Sequence, residues 1–557
     1  MKARFVSIGW IILLWMLGPV ASGASQIGQP FDLQGFVDQQ VKEGTTRIVI
    51  PPGRYRVTPQ NRQHLALCNL KDLQIIADDV EMICTETTRA LTVANCVNVT
   101  VRGLVIDYDP LPFTQGWITA IAADRQVYEV SLFDGYPEAD SVRNFKYEVF
   151  RPDTRTLRCE DRNLSKIEVL DARHLKLTIP GSHERDPEQV GDMIVIGSEF
   201  APHGSIPHAV YCSHNRNVRL ESISLFASNC FGFLETDCDG SIYQHCRIDR
   251  RDPVDDPVVR ASPRLRSLDA DAFHSKYALK GPSYLGCAAR FMGDDCINIC
   301  GDYHLITAAR GRELRVLAKG GMNVQPGDPV ELVGYDGVRL PDAKAVAIQA
   351  AGPIVDDERE FLGRQQMDAN LKSARGLGTA FRVTLDREVA LVRGSVLCAA
   401  NRVGNGFVVR DCSFGFNRSR GILIKGSNGE ISGNHLEGCR MSAILVSPEY
   451  WWLEAGSSSD LLITNNTITA CNGVPIRIEA IGGNGQLAQA GAHRNLTVTG
   501  NRISGCTMPG ILVTSTAGLH VHDNTLDRWI TTTAIPDTMR RAGLTELKPV
   551  VEIHCQP

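Results

Sequence analysis

Ile431-Ser-Gly-Asn-His-Leu436, Ile463-Thr-Asn-Asn-Thr-Ile468, Val498-Thr-Gly-Asn-Arg-Ile503 and Val521-His-Asp-Asn-Thr-Leu526 repeat one template. Each of the first three is followed by a second apolar run: Ala443-Ile-Leu-Val446, Pro475-Ile-Arg-Ile478 and Gly510-Ile-Leu-Val513. Short strands with apolar residues at every second position, an Asn at a fixed turn and Gly or Ala before a corner recur at roughly 22–35 residues. Such a unit cannot bury its apolar face alone and must stack on its neighbours, which predicts a parallel β-helix. Asn at a repeated turn favours left-handed backbone angles and can build a ladder of side chains.

The same grammar runs upstream. Asn98 to Ile106 reads as one coil, Val218 to Leu225 with Gly232 to Thr236 as another, and Phe407 to Phe414 with Gly421 to Lys425 as a third. Phe31 to Val41 has helical spacing, and a helix there would cap the open end of the solenoid. Residues 107–200 and 305–398 break the repeat with alternating strands such as Tyr128-Glu-Val-Ser-Leu132 and Phe381-Arg-Val-Thr-Leu385. The expected fold is therefore all-β: a right-handed parallel β-helix solenoid with two inserted β-barrel-like subdomains. The coils would occupy 25–106, 201–304 and 399–528, and 529–557 would be a tail.

Residues 1–24 read as a secretory signal. Lys2 and Arg4 precede the apolar run Phe5 to Leu17, and Ser22-Gly23-Ala24 supplies small residues at the cut. The mature chain is expected to be secreted or periplasmic, with no membrane span after cleavage, since no other apolar run approaches the ~20 residues that a spanning helix needs. The chain of 557 residues carries 58 basic and 63 acidic residues, a net charge of -5. Without a long basic run, nucleic acid is excluded as an expected partner. The cysteines number 17, an odd count. Cys439, Cys471 and Cys506 recur at one place in successive repeats, which predicts buried apolar positions rather than a disulfide framework. No zinc spacing is present, and neither a metal nor an organic cofactor is expected.

The chemistry concentrates in Leu268-Asp-Ala-Asp-Ala-Phe-His-Ser275 and Met292-Gly-Asp-Asp-Cys-Ile-Asn298. These two segments lie about one coil apart, so Asp269, Asp271, Asp294 and Asp295 converge at one corner. Aligned by strand, Gly232, Asp271, Cys296 and Gly421 would share a level. Like charges in register repel and their pKa values diverge, which suits one as an acid and another as a base, the equipment of a glycoside hydrolase. A calcium site, or acids solvated at a turn, is the blander reading. Asn298, His274 and Lys425 lie on or beside these strands and are candidate contacts to a sugar. Ser447 to Gly456 holds Trp451, Trp452, Glu449 and Glu454, an aromatic and acidic loop suited to stacking on a sugar ring, or else a hydrophobic plug.

At these residues the chain resembles glycoside hydrolase family 110, the inverting α-1,3-galactosidases built on a parallel β-helix. The resemblance rests on Asp269-Ala-Asp-x-x-His-Ser275, on Gly293-Asp-Asp-x-Ile-Asn298, and on Trp452, Glu454 and Gly456. It implies Asp294 as general acid and Asp271 and Asp295 as the pair that holds and deprotonates water; Asp269, His274, Asn298, Lys425, Trp452 and Glu454 are, by their positions, the candidate contacts to a terminal galactose. Inversion asks for carboxyl groups ~6.5–9.5 Å apart. Polygalacturonases carry a similar Gly-Asp-Asp-Cys-Ile run, and Arg420 to Lys425 partly resembles their basic pair. Here, however, Ala270 stands in the first motif and no His-Gly follows the second. A hydrolase or lyase on acidic polysaccharide, and a non-catalytic binding protein or adhesin, remain the alternatives. The expected partner is a glycan, and a homodimer is allowed by the sequence. N-terminal sequencing of the exported protein should begin near Ser25; recovery of intact Met1 would contradict the signal.

Overall fold

The computed structural model describes residues 27–557 apart from 180–185, 199–207, 259, 374 and 533. The signal expected over 1–24 lies outside the described residues. Three long parallel sheets, each with eleven or twelve strands among the described residues, run the length of the molecule. Each turn of chain contributes one short strand to each sheet, and every strand pairs with its counterpart one coil away. Ile422, Ile444, Ile476 and Ile511 thus occupy one register column. All four are fully buried and feed a single continuous core.

The repeated Asn forms the expected ladder. Asn434 donates through its backbone N–H (3.0 Å) and Nδ2 (2.9 Å) to Oδ1 of Asn466. Asn466 does the same to Asn501, and Asn501 to Asn524. The left-handed backbone angle, however, falls on the residue before each rung: Gly433, Asn465, Gly500 and Asp523 have φ of 64°, 54°, 67° and 55°. That residue turns the corner and leaves the following Asn free to point inward. Cys439, Cys471 and Cys506 are fully buried free thiols, and the Cys471 backbone N–H faces Cys506 Sγ at 3.5 Å.

Helix Leu33–Lys42 is capped by Asp32, which accepts from the N–H of Gly35 at 2.9 Å. Its Gln34 side chain bonds both the N–H and the C=O of Ala66, on the first strand of one sheet. Two backbone groups of an otherwise open edge are satisfied in this way. The opposite end differs from expectation. Residues 529–557 are not a plain tail: Val550–Ile553 adds the last parallel strand beside Ile511–Thr514, and the short helix Asp537–Arg541 seals it with buried Met539.

The first insertion is a seven-stranded antiparallel sheet, from Phe113–Ile121 to Met193–Ser198, around its own core of Ile118, Tyr128, Tyr147, Leu175, Leu177 and Ile196. The second is a closed six-stranded barrel between His304 and Ala399, with helix Asp356–Arg364 packed on it. It springs directly from strand Ile297–Asp302.

Asn466→Ala should take the acceptor from the Asn434 backbone N–H in a buried column, while Asn434 Nδ2 keeps the Val409 carbonyl and Asn501 Oδ1 keeps the backbone N–H of residue 466. Each unsatisfied buried group costs ~1–3 kcal/mol, so denaturant unfolding should show a loss of at least that order. A midpoint equal to that of the unaltered protein would contradict the ladder's contribution.

Candidate active site

Strand register positions the acids. Phe273 pairs with Ile297, and Ile297 with Ile422. Asp271, Asp295 and Arg420, each two residues earlier, therefore occupy one level in successive coils, stacked at ~4.8 Å. Asp271 is level with Asp295 rather than with Cys296, one residue away from the sequence alignment. Each carboxylate of the column accepts from the next coil's backbone: Asp295 N–H donates to Asp271 Oδ1 at 3.3 Å, and Arg420 N–H to Asp295 Oδ1 at 2.7 Å. Asp294 neighbours Asp295 and turns toward solvent, with 28 % of its side chain exposed against 1 % for Asp295.

One oxygen from each of Asp271, Asp294 and Asp295 lies within 4.8 Å of the other two. These are the nearest oxygens, brought closer than the ~6.5–9.5 Å expected for inversion by stacking and chain adjacency, so inversion rests on the resemblance and not on this separation. The charges are compensated unequally. Arg420 Nη2 donates to Asp295 Oδ2 at 2.7 Å and Arg418 Nη2 to Asp294 Oδ2 at 2.7 Å. Burial pushes Asp271 well above the usual carboxylate range, and the nearby Asp294 charge adds to this. Burial also lifts Asp295 to about 7, against the pull of Arg420. Burial acts on Asp294 too, but Arg418, Arg420 and Lys146 outweigh it and hold that carboxyl below its ordinary value. The trio is thus driven apart, the exposed carboxyl downward and the two deep ones upward.

His274 lies against Asp271, with Nδ1 2.6 Å from Oδ2. Its ring stacks on Phe231, which stacks in turn on His208, with centroids 4.7 and 5.0 Å apart. Burial lowers the imidazole pKa to about 3, so it is neutral. Asn298 is one rung above His274 on the same outward face and donates to Glu454 Oε2 at 3.2 Å. Lys425 is fully buried between Glu449 (2.9 Å) and Glu454 (3.0 Å), and it also reaches Asn298 Oδ1 at 3.3 Å. The Trp loop brings Glu454 in by pairing antiparallel with the end of strand Ile297–Asp302. Trp451 and Trp452 stay outside, 51 % and 43 % exposed, so they do not plug the core. Asp269 is apart from the trio: it accepts from Arg266 Nη1 at 2.9 Å, and Lys146 holds its backbone carbonyl. It is a buried ion-pair partner rather than a carboxylate open to a sugar.

Arg418, Arg266 and Lys146 were not among the residues singled out as site residues, and Arg420 was named only within the run that resembles the polygalacturonase basic pair. Buried acids require buried cations, and Arg418-Ser-Arg420 sits just before the strand that follows Gly-Asp-Asp in space. The 305–398 barrel separates the two in sequence. Lys146, on strand Val142–Phe150, shows that the first insertion also reaches the corner. Among the described residues, two groups present donor atoms suited to a cation: the Asp trio, and His274 with Cys300 and Glu454. Guanidinium groups occupy the first, and Lys425 and Lys276 neutralise Glu454 in the second.

Residues 393–528 match the family described as right handed beta helix region. The C-terminal coils are a right-handed β-helix. Alpha-1,3-galactosidase B of Bacteroides thetaiotaomicron is 22 % identical over 571 residues, covering 93 % of this chain and 86 % of that protein. Among solved structures, a family 28 exopolygalacturonase of Yersinia enterocolitica aligns over 92 % of this chain and 72 % of its own, at 11 % identity and a TM-score of 0.39. PfbA, a surface adhesin of Streptococcus pneumoniae, aligns over 90 % and 88 %, at 9 % identity and a TM-score of 0.36.

The raised Asp271 predicts a pH signature in stability. An acid whose folded pKa is raised binds a proton in the fold that the unfolded chain releases near ~3.9. Its contribution is present at low pH and is lost as pH rises toward the folded value. Asp271→Asn removes that loss, so its melting temperature relative to the unaltered protein should rise between pH 4.5 and pH 8. A constant difference would contradict a raised carboxyl there.

Proposed function

We propose that the protein is an exported glycan hydrolase that releases terminal α-linked galactose with inversion, from α-1,3-linked galactosides. The observation that carries this is the asymmetry of the trio: one solvent-facing carboxyl, Asp294, above a buried pair, Asp271 and Asp295, one coil apart. Asp294, held low by Arg418, Arg420 and Lys146, must take up a proton in the complex before it protonates the glycosidic oxygen as the C1–O bond breaks. The deeper pair removes a proton from the water that attacks C1 from the other face. The exposed Trp452 offers a face for the apolar side of galactose, and the Glu454–Lys425–Asn298 cluster lies beside it for the hydroxyls. The 22 % identical galactosidase, matched along 93 % of the chain, supports the sugar.

The cations argue against a uronate. Lys425 is taken by two glutamates, and Arg420 by Asp295 and Glu449. A polygalacturonase-like site would leave such a pair open to the substrate's carboxylate. No step needs a metal or an organic cofactor.

Asp294→Asn should fold and lose at least ~10²-fold in rate on an α-1,3-galactoside. Asp271→Asn and Asp295→Asn should each be severely impaired, and the double variant little worse than either. Trp452→Ala should raise KM. Cleavage of polygalacturonate with α-galactosides untouched, or activity abolished by EDTA, would replace this reading with the acidic-polysaccharide alternative.

A further inference from the structure

His274 follows Asp271 by three residues and lies on the same outward face as Asn298, yet little of it is left for a sugar. Its side chain is 4 % exposed. Nδ1 meets Asp271 Oδ2 at 2.6 Å, and Nε2 faces Cys300 Sγ at 3.8 Å, so both ring nitrogens are occupied. A neutral imidazole carries one N–H; with that proton on Nδ1, Nε2 is left to accept from the thiol, a weak donor. One ring face is covered by Phe231, with His208 stacked beyond. In register, His274 sits between Leu234 of the coil before and Asn298 of the coil after, both buried. A ring held at both nitrogens, on one face and by its strand neighbours has a single orientation. The two deep acids are then held alike. Asp295 takes a backbone N–H on Oδ1 and Arg420 Nη2 on Oδ2. Asp271 takes a backbone N–H on Oδ1 and His274 Nδ1 on Oδ2. An imidazole serves at Asp271 where a guanidinium serves at Asp295.

We propose that His274 is a positioning residue for Asp271 rather than a contact to the sugar: its Nδ1 fixes the plane of the carboxyl that holds the attacking water, and Cys300 and the Phe231–His208 stack fix the ring. The inference rests on the functional reading above, in which Asp271 and Asp295 share that water, and it names what holds Asp271. The torsion that swings a carboxyl about its own bond is broad and nearly two-fold. The Asp295 N–H alone, at 3.3 Å, would leave the second oxygen of Asp271 free to turn. The short bond from Nδ1 removes that freedom. It matters because an attacking atom misplaced by ~1 Å can cost roughly 10²-fold in rate. His274 meets no reacting atom itself; it acts through Asp271.

Steady-state kinetics on galactosyl-α-1,3-galactose test this. His274→Ala should lower kcat by roughly 10²-fold and leave KM nearly unchanged. His274→Asn, whose amide nitrogen falls at the Nδ1 position, should recover most of the lost kcat. His274→Gln, whose amide reaches toward the Nε2 position instead, should not. In an Asp271→Asn background His274→Ala should cost little more, because residues that act as a unit are not additive. A raised KM with kcat kept would make His274 a sugar contact and overturn the proposal. Equal kcat in the Asn and Gln variants, or a full further loss in the Asp271→Asn background, would overturn it too. Should the alanine variant not fold, the Asn and Gln variants, which keep a planar polar group in the slot, carry the comparison. Were Asp271→Asn fully active, the functional reading itself would fall; an inactive Asp271→Asn beside a fully active His274→Gln would remove the His274 role alone.

Discussion

The site depends on register. A parallel β-helix repeats the same backbone position at one strand spacing, so whatever precedes the strand in one coil lies under its counterpart in the next. Here that position holds Asp271, then Asp295, then Arg420. Two carboxylates and a guanidinium are forced into a single file, each bonded to the backbone of the rung above. Repulsion between the acids is the cost of this arrangement, and the arginine offsets only part of it. Burial, with this repulsion added, drives both carboxyls of the file upward. Asp294 escapes the file because it lies one residue earlier, above Ala270 rather than above another acid.

The two insertions convert a bare corner into an enclosed site. The first supplies Lys146 and Glu148, which with Arg266 lock Asp269 beneath the trio. The second begins on strand Ile297–Asp302, and its Lys319 pairs with Asp302 at 2.7 Å where that strand leaves the coil. Asp302 in turn carries Lys276 and sits opposite Glu454. A chain of alternating charges thus runs from the barrel to the Trp loop.

Much of this was legible in the residues. The Asn template gave the solenoid, and two breaks in its rhythm marked the insertions near 107–200 and 305–398. The two Asp motifs, one coil apart, did converge. Four things were not readable, each for a physical reason. The register at Asp271 slipped by one, because an apolar run such as Ala272-Phe273 fits either level until hydrogen bonds are drawn. The guanidinium partners were hidden because a whole barrel separates Gly293-Asp-Asp295 from Arg418-Ser-Arg420 in sequence, while one coil separates them in space. Asp269 looked equivalent to its neighbours by type and spacing, yet Arg266, three residues earlier, turns it away from the cleft. The last strand, Val550–Ile553, was missed because it lacks the Asn turn that marks the other coils.

The central claim is that water, held by Asp271 and Asp295, attacks in one step while Asp294 protonates the leaving group. The most direct measurement is the anomeric form of the first-formed galactose, followed by proton NMR in the first minutes of hydrolysis of an α-1,3-galactoside. The account predicts β-galactose appearing first and mutarotating later. First-formed α-galactose would mean a covalent intermediate and contradict it.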